Sequence, residues 1–312
     1  MINRDIIRAK VVQLTYAYYQ NGNKNIDTAE KELFFSLSKA YDLYNYLLAL
    51  IVAVSREARR RLEIEQAKAR REGTAEPPVR FVYNRFALQL EENRQLSEFR
   101  ESQTDIWSEE AKFVGHLYEQ IAESSVYKEY MESDVDDYVT DRELWRKLYR
   151  LFIQENEGLD ALLEERSLYW NDDKEVVDSF VLKTIKRFDE KNRSSQPLLP
   201  EYDSEEDKEY ARKLFRATIL NADEYQHLMS EASRNWDFSR LAYMDIVIMQ
   251  IAIAEMLTFP SIPVNVTINE YVEIAKQYST YKSGGYINGM LDTIARHLIA
   301  SGRLLKQLEE RK

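Results

Sequence analysis

Apolar residues recur along this chain at steps of three and four, the period of a helix with one buried face. Ile7, Val11, Leu14 and Tyr18 form the first stripe, which predicts a helix over residues 3–19, ended by Asn21-Gly22-Asn23. A longer pattern begins near Asp27 or Thr28 and carries Leu33, Leu37, Tyr41, Tyr44, Leu48 and Ile51. It becomes almost wholly charged over 56–72, and Gly73 with Pro77-Pro78 stops it. Between residues 79 and 193 further helical patterns cover 107–130, 142–154 and 174–190. Residues 192–203, with Ser194-Ser195, Pro197 and Pro200, read as a linker.

Ser204 followed by Glu205, Glu206 and Asp207 predicts a helix start with acids in its positive first turn. Residues 210–233 are amphipathic through Leu214, Ala217, Leu220, Tyr225 and Leu228. The stretch 241–257 is apolar on nearly every side, so other helices must enclose it, and Pro260 and Pro263 end it. Thr267 with Glu270 reads as a capping box for a helix whose inner face is Tyr271, Ile274, Ala275 and Tyr278. The last helix follows Ser283-Gly284-Gly285 and contains Asn288-Gly289, two poor helix formers whose presence requires a reward. The reading at this point is that Gly289 permits close packing and Asn288 bonds a neighbouring backbone group.

Only 8 glycines and 6 prolines occur in 312 residues, which favours an all-α fold of long helices with short connections. The absence of cysteine excludes disulfides, thiolate metal sites and a cysteine nucleophile, and fits a cytoplasmic location. No signal-peptide pattern opens the chain. The apolar stretch 241–257 is interrupted by Asp245, Gln250 and Glu255 and falls short of a membrane span of ~20 residues. A net charge of −11 argues against indiscriminate coating of nucleic acid, so any RNA site must be a local patch or groove.

Enzymatic chemistry finds little support. His116, His227 and His297 lack metal-ligand spacing, and Asp134, Asp136 and Asp137 lack the glycine and final glutamate of a calcium loop. There is no glycine-rich phosphate loop and no GxSxG. The expectation is a binding protein with no cofactor, no metal and no catalytic residue.

Two basic regions invite comparison. Arg4 and Arg8 lie one turn apart with Tyr19 near the same line, so two phosphate contacts and a stacking ring could share one edge; the residues alone favour a solvated basic edge, since two arginines four apart are common on helices. The run Arg56, Arg59, Arg60, Arg61, Lys68, Arg70 and Arg71 is interspersed with Glu57, Glu63, Glu65 and Glu72, as on a solvated helix laced with ion pairs, and is the rival RNA surface.

The order Trp236, Arg240-Leu241, Asp245, residues 252–255, Ile262-Pro263, Ile268-Asn269-Glu270, Ala275-Lys276, Ser283 and 288–292 resembles the C-terminal signature of the NusB family. Arg8, Val12-Gln13-Leu14 and Tyr16 resemble its first helix. The resemblance covers roughly residues 2–19 and 203–298 and implies two packed three-helix bundles, over residues 1–55 and 196–312, with 56–195 as a helical insertion. It further implies a cytoplasmic, non-catalytic transcription antitermination factor that binds boxA-type single-stranded RNA together with the NusE ribosomal protein in the transcription elongation complex, away from any membrane. The RNA-binding residues it implies are Arg4, Arg8, Tyr16, Tyr19, Asp245, Lys282 and Tyr286. Two departures stand out. Asp5, Ile6 and Ile7 interrupt the arginine cluster that relatives often carry, and Gln250 stands where they frequently have arginine. A helical protein-interaction scaffold without RNA binding is the alternative, suggested by the acidic charge, the thinned arginines and the large middle.

Overall fold

Asn3 opens the first helix by accepting a hydrogen bond from the Ile6 amide at 3.0 Å, which satisfies one of the free donors of the first turn. Helix α1 then runs Arg4–Gln20 and α2 runs Ile26–Glu72, where Gly73 takes the left-handed φ of 68° that ends a helix without a Cβ clash. The computed structural model describes residues 1–22, 24–233, 242–280 and 282–305. It is all-α: among the described residues no strand forms, and an isolated bridge between Ile2 and Tyr202 is the extent of extended pairing.

Two compact units divide the chain. One comprises Met1 and residues 39–201; the other comprises residues 2–38 and the chain from Tyr202 onward. The expected boundaries at 55 and 195 therefore differ from those drawn by packing. Tyr44, Leu47, Leu48 and Ile51 of α2 are fully buried, and Tyr46 and Lys39 give their carbonyls to Trp107 and Trp170 at 2.8 Å. The middle of α2 thus belongs with the helices that follow it.

The larger unit continues through a 3-10 turn Arg80–Tyr83, α3 (Arg85–Glu91), α4 (Arg94–Ser102), α5 (Ile106–Glu109), α6 (Ala111–Glu123), α7 (Ser125–Glu132) and α8 (Tyr138–Tyr149). A π turn, Arg150–Gln154, follows, then α9 (Glu157–Arg166) and α10 (Lys174–Arg187). Asn84, Asn93, Asp105, Ser124, Asp137 and Asn156 each accept a backbone N–H at a helix start, which is why one predicted segment, 107–130, is three helices. Asp136 pairs with Arg85, so two of the three clustered aspartates have structural work.

The stretch read as a linker is packed instead. Asn93 donates to the Gln196 carbonyl at 2.7 Å, Gln95 accepts from the Leu198 amide at 2.8 Å, and the Tyr44 hydroxyl accepts from Leu199 N at 3.1 Å. Side chains satisfy a backbone that proline and serine keep out of regular structure, and Leu198 and Leu199 are buried.

The second unit is built from α1, the start of α2, and α11 (Glu205–Leu220), α12 (Ala222–Ala232), α13 (Tyr243–Thr258), α14 (Val264–Tyr278) and α15 (Ser283–Ala300). As its all-round apolarity predicts, α13 is central and packs against α1, α11, α12, α14 and α15. The amphipathic run 210–233 is two helices, because Asn221 leaves helical geometry at φ −109°, ψ 23°. Leu241, Trp236 and Arg240 of the sequence signature lie outside the described residues.

Two local expectations are corrected. Helix α14 starts at Val264, directly after Pro263, so Thr267 lies inside the helix and its hydroxyl donates to Glu255 at 2.8 Å instead of capping. Close packing occurs at Gly284, where a Cβ would come within 3.3 Å of Lys276, and not at Gly289, where it would meet nothing within 4 Å. Gly289→Ala should therefore stabilise the protein by about 0.5–1 kcal/mol through helix propensity alone, read as a higher midpoint in urea. A lower midpoint would restore a packing role.

One helix, Ile26–Glu72, contains a window long and apolar enough to cross a membrane by length and composition. That window is 72% buried inside the protein, as a core helix is. In the sequence this window is less conspicuous than 241–257, because tyrosines and alanines dilute its apolar appearance.

Candidate functional site

Helix α1 carries Arg8 into the heart of the second unit. Arg8 is 3% exposed, and its guanidinium meets the fully buried Glu255 of α13 side-on, Nε to Oε2 at 2.9 Å and Nη2 to Oε1 at 3.1 Å. Glu255 also accepts from Thr267 at 2.8 Å, from Tyr271 at 3.1 Å and from Tyr210. Burial alone would raise the Glu255 carboxyl, but the bond and charge of Arg8, with the hydroxyls, outweigh it and hold the group below its ordinary range. Asp5 at 3.4 Å and Glu270 at 3.5 Å approach Arg8 from the rim.

The expected edge of Arg4, Arg8 and Tyr19 is thus not what the structure brings together. Arg4 lies over the Tyr210 ring at 5.1 Å with Asp207 at 3.9 Å and stays partly exposed, whereas Arg8 is committed to Glu255. Tyr19 belongs to another group. Tyr16 and Tyr243 have ring centroids 5.7 Å apart, Tyr19 and Tyr243 6.4 Å, and Tyr18 and Tyr19 5.6 Å, in tilted and edge-on arrangements. Tyr243 is 42% exposed. Burial, with the neighbouring Tyr19 and Tyr16 rings, raises its hydroxyl above the ordinary value, so the ring remains neutral and can stack.

Gln250 explains why Tyr19 is fixed. Its amide donates to the Tyr19 hydroxyl at 2.6 Å and to the Thr218 carbonyl at 2.8 Å, so the residue that stands in place of a frequent arginine holds a ring in position. Asp245, in the first turn of α13, is 5% exposed and accepts from the Ser283 hydroxyl at 3.0 Å. This ties the start of α13 to the start of α15, where Lys282 is exposed and Tyr286 half-buried. Burial, then the charge of Asp245, raises the Tyr286 hydroxyl. Sequence reasoning missed Tyr243 and Tyr18 as members of this face, since both read as parts of apolar helical stripes. The available signal was four tyrosines at the mating ends of two helices.

The rival basic run is extensively paired. Glu91 takes Arg56 at 2.7 Å and Arg59 at 2.9 Å, while Glu57 takes Arg60 at 2.8 Å and Arg61 at 2.7 Å. Arg60 first, then Arg61 against a burial penalty, hold the Glu57 carboxyl down at about 2. On the expectation that the chain binds boxA-type RNA, reversing the charges of Arg59, Arg60 and Arg61 together should leave that affinity within about twofold and the salt slope unchanged; a slope smaller by one or more would make this run the RNA surface. Among the described residues no group of three histidine, aspartate or glutamate side chains is arranged to hold a metal ion.

Comparison with known proteins places this architecture. The NusB family model matches residues 178–296. A protein of Salinibacter ruber called transcription antitermination protein NusB is 36% identical over 99 residues, 32% of this chain and 62% of that protein. One of the same name from Natranaerobius thermophilus is 41% identical over 90 residues, 29% of this chain and 65% of its own length. The chain thus spans somewhat less than two thirds of these two relatives. A third, from Geotalea daltonii, is 34% identical over 142 residues, 46% of this chain and 94% of that protein. A solved structure of T. maritima NusB is 33% identical and matches 38% of this chain and 82% of that one, with a TM-score of 0.29. With nearly the whole of a relative matched at that identity, this chain belongs to the NusB family.

Proposed function

We propose that this protein is a transcription antitermination factor that binds boxA-type single-stranded RNA together with the NusE ribosomal protein, within the transcription elongation complex of the cytoplasm and without catalysing a reaction. The observation that carries the proposal is the tyrosine face of Tyr16, Tyr19 and Tyr243 in the unit that holds most of the family match. Single-stranded bases stack on aromatic rings, and each has a π face to offer. Lys282 and Tyr286 lie at the start of α15, and Arg4, partly exposed beside Asp207, is the α1 cation that phosphate could reach. Asp245 serves this reading by positioning Ser283, and Arg8 by holding α1 in register.

A titration of boxA RNA at low salt, with and without NusE, tests it. Saturable binding that tightens when NusE is present is the expected result. No RNA-dependent signal in either mixture would sink the proposal in favour of a helical protein-interaction scaffold.

A further inference from the structure

In the larger unit, α2, α4 and the α5–α6 segment enclose a cleft of about 200 Å³. Its floor is apolar, with Ala49, Val52, Ala53 and Val114, and Arg56, Arg60 and Arg100 reach its walls. The carboxylates around it are engaged. Both oxygens of Glu91 face Arg56 and Arg59, and Glu57 serves Arg60 and Arg61. Asp105 caps α5 by accepting from the Ser108 amide at 3.3 Å and its hydroxyl at 2.7 Å. Arg100 is left over. Among the described residues its guanidinium has no ion pair and no hydrogen bond, although it is partly buried. Burial, then the charge of Arg56, push it below the ordinary arginine value against the opposing charges of Asp105, Glu91 and Glu101.

We propose that this cleft receives a carboxylate carried on an aliphatic residue at the chain end of a partner protein. A planar guanidinium presents two parallel donors that match a carboxylate, and the apolar floor excludes competing water. The volume lies below the range of cofactor and drug sites, roughly 300–1,000 Å³, and suits a single aliphatic side chain with its carboxylate. With Arg56 held by Glu91 and Arg60 by Glu57, Arg100 is the cation that an entering carboxylate would meet.

The test uses the full chain and the peptide acetyl-Ala-Leu as a free acid, as its C-terminal amide, and inorganic phosphate as a competitor. Calorimetric titration should show the acid binding at least about tenfold tighter than the amide, as a charge-assisted bidentate pair requires. Arg100→Gln should remove that preference, and the acid should shift the Arg100 Nε–H resonance in a ¹⁵N spectrum of the unsubstituted protein. Acid and amide binding alike, or no binding of either, overturns the proposal, and this comparison needs no variant to fold. Phosphate displacing the acid at equal concentration, or Arg100→Gln weakening boxA RNA, would overturn it in favour of a phosphate site.

Discussion

Replacing Arg8 with alanine should destabilise the protein by about 3–5 kcal/mol, because Glu255 would remain buried and charged without its counterion. Glu255→Ala should cost more, since it strands the guanidinium and the hydroxyls of Tyr210, Thr267 and Tyr271 together. The double substitution should cost less than the sum, the signature of one shared network. Denaturant unfolding of the three variants checks the order. Equal, additive effects would mean that the two residues act separately. The network also sets an acid limit. The folded carboxyl of Glu255 lies below the ordinary value of 4.5, so its stabilisation is present above that pH and is lost as pH falls through the depressed folded value. Glu255→Gln should flatten that acid limb of the stability profile.

Tyr243→Ala should weaken RNA binding about 5- to 150-fold, the range for one base losing its aromatic partner, while the salt dependence stays the same because no phosphate contact is removed. Tyr243→Phe should retain most of the affinity, since the ring and not the hydroxyl does the stacking. Lys282→Ala gives the contrasting pattern, a salt slope smaller by about one with a modest loss of affinity. Affinities measured across a salt series separate the two. Unchanged binding by Tyr243→Ala would remove the tyrosine face from the RNA-binding surface.

Much of the fold was legible in the chain because its signals are local. The Ile7, Val11, Leu14, Tyr18 stripe, the Gly73 stop and the all-round apolarity of α13 each depend on neighbours within a few turns. What escaped depends on partners far along the chain. Thr267 looks like a cap until Glu255 claims its hydroxyl, and residues 192–203 look like a linker until Asn93, Gln95 and Tyr44 bond to them. The candidate site divides the same way. Arginine spacing on α1 put Arg4 and Arg8 together, but an arginine on the helix edge can turn inward when a buried carboxylate sits 247 residues away in sequence. Tyr16 and Tyr19 were identified from α1 and from the family, whereas Tyr243 meets them only across two helices.

The hydrogen bonds from Trp107 and Trp170 to carbonyls of α2 have a spectroscopic consequence. Trp107, Trp145 and Trp170 are all buried in the larger unit, and the fourth tryptophan of the chain is Trp236. With Trp236→Phe in the background, every indole would report on that unit alone. Its emission would then follow the opening of residues 39–201, while tyrosine absorbance, with 10 of the 21 rings in that unit and 11 outside it, would report both, so a transition seen in absorbance and missing from emission would belong to the other unit.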